Sequence, residues 1–304
     1  MSESLDILPY PIACFFRRIR ASLAKDPKRL KHILQTVEMV ARFFSIVVLS
    51  DLRDRVKGGR FPPPTALKGC IEKLRRPSFG HWIEIMREGV RACKDLGQFF
   101  MPELEDFVFT KKGSLALPFE ALSNMVTLRN RFAHGDMSVS DIKRACETGE
   151  SALTDIFSAM SFLAGYKTYF VKCIKVKKRR LDLCSYIHEF WLLSGPYTEP
   201  EAVSDERKWH TDSDEVIIER PDGSYIDLDP LIIYLDDEKS SESAGIRPDL
   251  YIFNGYEDRK GLLSIRYLPG GVNSQEFESR DLPDMADREL LSKGLVEYLD
   301  LFHG

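Results

Sequence analysis

Arg129-Asn130-Arg131-Phe132-Ala133-His134 puts a guanidinium, an amide and an imidazole within six consecutive residues. Together such a set can hold a phosphodiester and move a proton. Those are the functions that metal-free RNA cleavage needs. An Arg five residues before a His is a cheap coincidence, and Arg76-Pro-Ser-Phe-Gly-His81 repeats it at a helix boundary. The Asn directly after Arg129 makes the first match the more specific one. Asn130 and His134 are four apart and share a helix face. Arg129 and His134 are five apart, about 140° around an ideal helix. Only a long Arg side chain, or a second copy of the helix, brings both to one phosphate. Phe132 and Ala133 are expected to face the core. The competing structural reading leaves Arg129 and Arg131 solvated and uses His134 to cap the helix C-terminus, where its cation is favourable.

These residues need a rigid carrier, and the surrounding pattern supplies one. Pro118 to His134 reads as a helix that Gly135 stops. The first 180 residues read as helical throughout, over 10–24, 28–56, 65–75 and from Pro77-Ser78 to Leu96, with 101–117 irregular. Ser138 with Asp141 three residues on forms a capping box. The helix that it opens is expected to run about 35 residues, past Gly149 and Gly165, to the basic end Lys172, Lys175, Lys177, Lys178, Arg179 and Arg180. Long amphipathic helices without intervening strand signals predict an antiparallel bundle.

Beyond residue 180 the pattern becomes strand-like. Val216–Glu219 and Tyr225–Leu228 flank Pro221-Asp-Gly-Ser224 as a hairpin, and 231–235, 250–253 and 262–268 read as further strands. Residues 284–302 return to a helix. The expected fold class is α+β. An N-terminal antiparallel helical bundle (1–180) precedes a small, mostly antiparallel β-domain with a C-terminal helix (181–304). The net charge of −4 hides a split. Residues 1–180 hold 32 Lys/Arg and 19 Asp/Glu, net +13, which leaves 11 and 28 for residues 181–304, net −17. That asymmetry suggests a polyanion-binding half and an acidic half. The acidic half could cover the basic one or dock a regulatory protein. Two independently solvated domains give the same numbers.

Leu128-Arg129-Asn130-Arg131-Phe132-Ala133-His134-Gly135 resembles the R-N-x-x-x-H signature of HEPN domains, helical bundles found in bacterial toxin, abortive-infection and CRISPR effector proteins. The resemblance covers about residues 10–178. It implies a homodimer whose motif helices face each other in one composite, metal-independent endoribonuclease site. In that site Arg129 would contact the scissile phosphate, Asn130 would orient the site, and His134 would handle the proton of the ribose 2′-OH or the leaving oxygen. Toxins of this family paired with a nucleotidyltransferase often carry Tyr two residues after the His; here that position is Asp136, so modification there is not implied.

RNA is therefore the expected partner, held by Arg131 and by Lys172, Lys175, Lys177, Lys178, Arg179 and Arg180, with Arg17, Arg18 and Arg20 adding to them. The same basic run could instead serve the dipole of its helix or cap the acidic half. Glu38, on an apolar helix face, could pair with an Arg near the motif. No cofactor is expected: neither a Gly-rich phosphate loop nor a nucleophile elbow appears, and the six His and six Cys have no metal-ligand spacing. No uninterrupted apolar run reaches bilayer length and Met1–Asp6 lacks a signal peptide's pattern, so a cytoplasmic protein with reduced, mainly buried cysteines is expected. Two other functions stay open: a non-catalytic helical dimerisation or RNA-binding adaptor, and a regulator with the β-domain as sensor.

Overall fold

The computed structural model describes all residues except 1–4, 60–64, 98, 136, 179–183, 197–200, 210, 238, 241–245, 260–261, 272–274 and 304. The fold is α+β and divides into two units. A helical unit comprises Cys14–Phe162, Asn254–Glu257 and Val296–Gly304; a strand unit comprises Met1–Ala13, Leu163–Phe253 and Asp258–Leu295.

Helix α2 (Pro27–Lys57) is the axis of the helical unit. Asp26 caps it by accepting from the Arg29 N–H at 2.8 Å, and Pro27 sits where a missing donor costs nothing. Apolar residues surround the whole helix, as expected of one buried on all sides. By length and composition α2 could cross a bilayer, but 89% of its apolar window is buried inside the protein, which accounts for that composition. Around it pack α4 (Phe79–Asp95), α6 (Leu117–Ala133) and α7 (Val139–Ala159). Two glycines let the helices approach closely. A Cβ on Gly89 of α4 would lie 2.4 Å from Val48 Cγ1, and one on Gly149 of α7 would lie 2.7 Å from Ile33 Cγ2. Most of the buried charge within α2 is matched, as burial demands, although Ser50 Oγ has no hydrogen-bond partner among the described residues. Asp51 accepts from Arg55 Nε at 2.7 Å and from the Phe100 N–H at 2.9 Å. Arg42 donates to Asn254 Oδ1 at 2.9 Å and to Glu38 at 3.3 Å, and lies 5.1 Å over the Trp82 ring. Glu38 thus serves Arg42 rather than an Arg of the motif.

Helix α1 (Tyr10–Ala21) and the short α3 (Thr65–Ile71) stand where the periodicity put them. A six-residue helix, α5 (Glu103–Val108), occupies the stretch expected to be irregular. The larger correction concerns α7. Its capping box is present, with Ser138 and Asp141 reciprocally bonded, but the helix ends at Ala159 after 21 residues. A 3-10 turn at Ser161–Gly165 follows, and Lys167–Lys177 forms strand β1. The unit boundary falls between Phe162 and Leu163, ahead of the basic run, rather than after residue 180.

Strand β1 is central to a five-stranded antiparallel sheet of order β3-β2-β1-β4-β5, with β2 at Ser185–Leu192, β3 at Glu201–Arg207, β4 at Val216–Glu219 and β5 at Tyr225–Asp227. Three strands in sequence with the fourth returning beside the first is a Greek key. The β4–β5 hairpin forms as expected around Gly223, whose φ of +80° suits a residue without Cβ. A second sheet has the order β6-β7-β8-β9: Ile232–Leu235, Asp249–Arg259, Leu262–Pro269 and Phe277–Glu278. Helix α8 (Met285–His303) follows. Tyr169, Val171, Phe190 and Ile217 form the core on one face of the first sheet.

Candidate functional site

The motif ends α6. Residues Phe119, Leu122 and Met125 bury the first three turns, and no residue after Met125 in the helix is fully buried. Asn130 and Arg131 are exposed, and Arg129 and Phe132 are half-buried. Ala133, expected to face the core, is exposed. His134 is the C-cap: its N–H bonds the Asn130 carbonyl at 3.1 Å, its side chain is exposed, and Gly135 leaves the helix at φ +75°. Asn130 and His134 share the outward face. Among the described residues, the side chains of Arg129, Asn130 and His134 make no hydrogen bond or ion pair. One copy presents the three groups at the end of α6, with Arg129 and His134 about 140° apart around an ideal helix.

Beside the motif, α6 and α7 bound a groove of about 620 Å³. Ala121, Thr127, Ala145, Thr148, Ser151 and Ala152 supply small walls, and Arg131, Asp141 and Arg144 crowd the end nearest the motif. Asp141 is held below the usual carboxylate range, first by its hydrogen bonds with Ser138 and then by the charges of Arg144 and Arg131. Exposed apolar residues flank this pair of helices, Leu117 at 77% and Val139 at 86%.

The other residues expected to hold RNA are elsewhere. Lys172, Lys175 and Lys177 lie on β1, not on a helix end. Lys175 is ion-paired with Glu189 of β2, and Lys177 with Glu206 of β3. Lys172 Nζ sits 4.3 Å over the Trp191 ring. Lys178 is exposed just after the strand, and Arg179 and Arg180 lie outside the described residues. Two of the six cations in the sequence run are thus paired with carboxylates. The division of charge between halves shrinks accordingly: the helical unit carries 25 Lys/Arg and 20 Asp/Glu, net +5, and the strand unit 18 and 27, net −9.

The strand unit holds a cation site that sequence spacing did not reveal. Arg207 lies 4.9 Å over Phe190 and 4.7 Å over Trp209, with both guanidinium arms on Glu219. Its members come from three strands and a loop, so no short motif records them. Among the described residues, no group of three or more His, Cys, Asp or Glu is placed to hold a metal ion. Four of the six cysteines, Cys14, Cys70, Cys93 and Cys146, are buried. No family model, no curated protein and no solved structure matches the chain.

Proposed function

We propose that the chain is a metal-independent endoribonuclease of HEPN type, acting in the cytoplasm as an effector of bacterial defence or of a toxin system. The observation that carries this reading is the solvent-open end of α6, where the side chains of Arg129, Asn130 and His134 form no hydrogen bond or ion pair among the described residues. A functional site leaves such groups available. A solvated helix end with His134 as its C-cap has the same geometry, and the assays below separate the two. Arg129 would bind the scissile phosphate and stabilise its developing charge. His134 would take the 2′-OH proton or deliver one to the leaving oxygen.

The roughly 140° between Arg129 and His134 calls for a second copy, and a two-fold homodimer through the helical unit supplies one with a single self-complementary patch. The groove between α6 and α7 and the exposed Leu117 and Val139 fit such a surface. Sedimentation at micromolar concentration should give a dimer. The test of chemistry is incubation of the purified protein with total RNA in EDTA, beside Arg129→Ala and His134→Ala. Cleavage should persist in EDTA, leave 2′,3′-cyclic phosphate ends, and fall on the order of 10²-fold or more in His134→Ala. Activity that vanishes in EDTA yet survives His134→Ala would sink the mechanism. The adaptor reading draws on the same exposed helix end, which needs no joint action of Arg129 and His134. RNA binding without cleavage by the dimer would establish it.

A further inference from the structure

The helical unit carries a cationic surface that no contiguous sequence run announces. It has two parts. At the α1–α2 corner, Arg18 lies 4.4 Å over the Phe15 ring and Arg20 lies 5.4 Å over Phe16, with Lys28 and Lys31 exposed on the first turn of α2. On the first turns of α7, Lys143 and Arg144 are exposed and lead to Arg131 of the motif. The carboxylates between these parts are already engaged. Glu147 binds Lys25 at 2.9 Å, Glu150 binds Arg29 at 2.6 Å, Asp26 caps α2 and Asp141 caps α7. Lys28, Lys31, Lys143 and Arg144 form no ion pair among the described residues. Their field is felt locally. Burial lowers the proton affinity of the His32 imidazole, and the charges of Arg18, Lys28 and Lys31 lower it further.

We propose that this band, from Arg131 over the start of α7 to the α1–α2 corner, is the surface that holds the backbone of single-stranded RNA, in place of the basic strand β1. It deepens the ribonuclease reading and rests on it, since the band ends at the motif. Cations without carboxylate partners release counterions when they meet phosphates, whereas Lys175 and Lys177 must first give up Glu189 and Glu206. Two salt links tie the corner to α7, so the two parts form one continuous path.

The test measures binding apart from cleavage. Full-length protein bearing His134→Ala is titrated into a short labelled single-stranded RNA and followed by fluorescence anisotropy at several salt concentrations. Adding Lys28→Ala/Lys31→Ala, or Lys143→Ala/Arg144→Ala, should each weaken binding on the order of tenfold. Each pair should also flatten the plot of log affinity against log salt by about 1.4, or 0.7 for each phosphate that is no longer neutralised. Lys175→Ala/Lys177→Ala should leave affinity and slope unchanged. All six positions are surface sites, and matching circular dichroism and melting curves confirm an intact fold. The proposal is overturned by corner and α7 variants that bind like the parent, by a β1 variant that alone loses binding, or by a parent that ignores RNA while binding anionic phosphatidylserine vesicles. A cleavage assay on protein with His134 intact judges the other reading separately. RNA held by the band but never cut defeats the nuclease and keeps the surface; RNA cut by the corner and α7 variants with undiminished affinity does the reverse.

Discussion

Asp51 joins three parts of the helical unit, α2, α4 and the segment before α5. It is buried in α2, and its two oxygens serve Arg55 Nε and the Phe100 N–H. Cys93 Sγ lies 3.7 Å from the second oxygen, and burial first, then the Asp51 charge, pushes that thiol well up, away from thiolate reactivity. Asp51→Ala strands the Arg55 cation and a backbone donor in the interior. The expected loss is about 3–5 kcal/mol, read from urea denaturation. A midpoint within error of the parent's would show that water reaches the site. At this scale the sequence was informative wherever chemistry is local. The residues of the α6 motif, the Ser138–Asp141 cap and Gly135 are neighbours in the chain and could be read directly. Arg42, which finds Asn254, and Arg207, which finds Glu219, Phe190 and Trp209, are joined by distant elements and leave no such trace. Lys28, Lys31, Lys143 and Arg144 went unnoticed for the same reason.

Elements were legible when long and periodic. Helices α2, α4, α6 and α8 were readable to within a few residues. The segment 163–177 was not, because Leu163, Phe170, Val171 and Ile174 also satisfy a helical period. Its aromatic and β-branched content and Gly165 favour a strand, and pairing with β2 and β4 on both sides selects one. Strand β3 is mostly exposed and reads Glu-Ala-Val-Ser-Asp-Glu-Arg, so only its ladder with β2 makes it a strand. Close helix packing gives a test at the same scale. Gly149→Ala drives a methyl to 2.7 Å from Ile33 Cγ2, so either the Ile33 side chain or α7 must give way. Destabilisation of about 1–3 kcal/mol is expected in urea. An unchanged midpoint would mean that Ile33 yields freely.

The residue before β4 adds a pH dependence. Burial first, and then Asp227, pushes the Glu215 carboxyl from 4.5 up to about 7, against the Thr211 hydroxyl that donates to it. The folded chain then holds a proton that the unfolded chain has released. The associated stability is full below about pH 4.5 and is lost as pH rises to about 7. Glu215→Gln should therefore gain stability relative to the parent over that window and keep the gain above it. Parallel pH profiles of the melting temperatures would reject this.

At the scale of the molecule, the units are not cut from the chain in series. The helical unit takes Asn254–Glu257 and Val296–Gly304 from beyond the first sheet, and the strand unit takes Met1–Ala13 from before α2. Within the helical unit Arg42 bonds Asn254, Tyr298 is buried, and Arg53 lies 5.4 Å over its ring. Residues 14–162 expressed alone should thus lack a cooperative thermal transition and should bind a hydrophobic dye. Two-state melting of that fragment at the temperature of the whole chain would contradict this.

That interleaving sets a schedule. A ribosome adds about 5–20 residues per second, so on the order of ten seconds separate the emergence of Phe162 from that of Tyr298. Throughout that interval the α6 motif has been synthesised, but the helical unit that holds it is incomplete. On the ribonuclease reading proposed above, a nascent chain carrying Arg129 and His134 would be a poor nuclease beside the very RNAs that surround it, and competence would arrive only with the late segments.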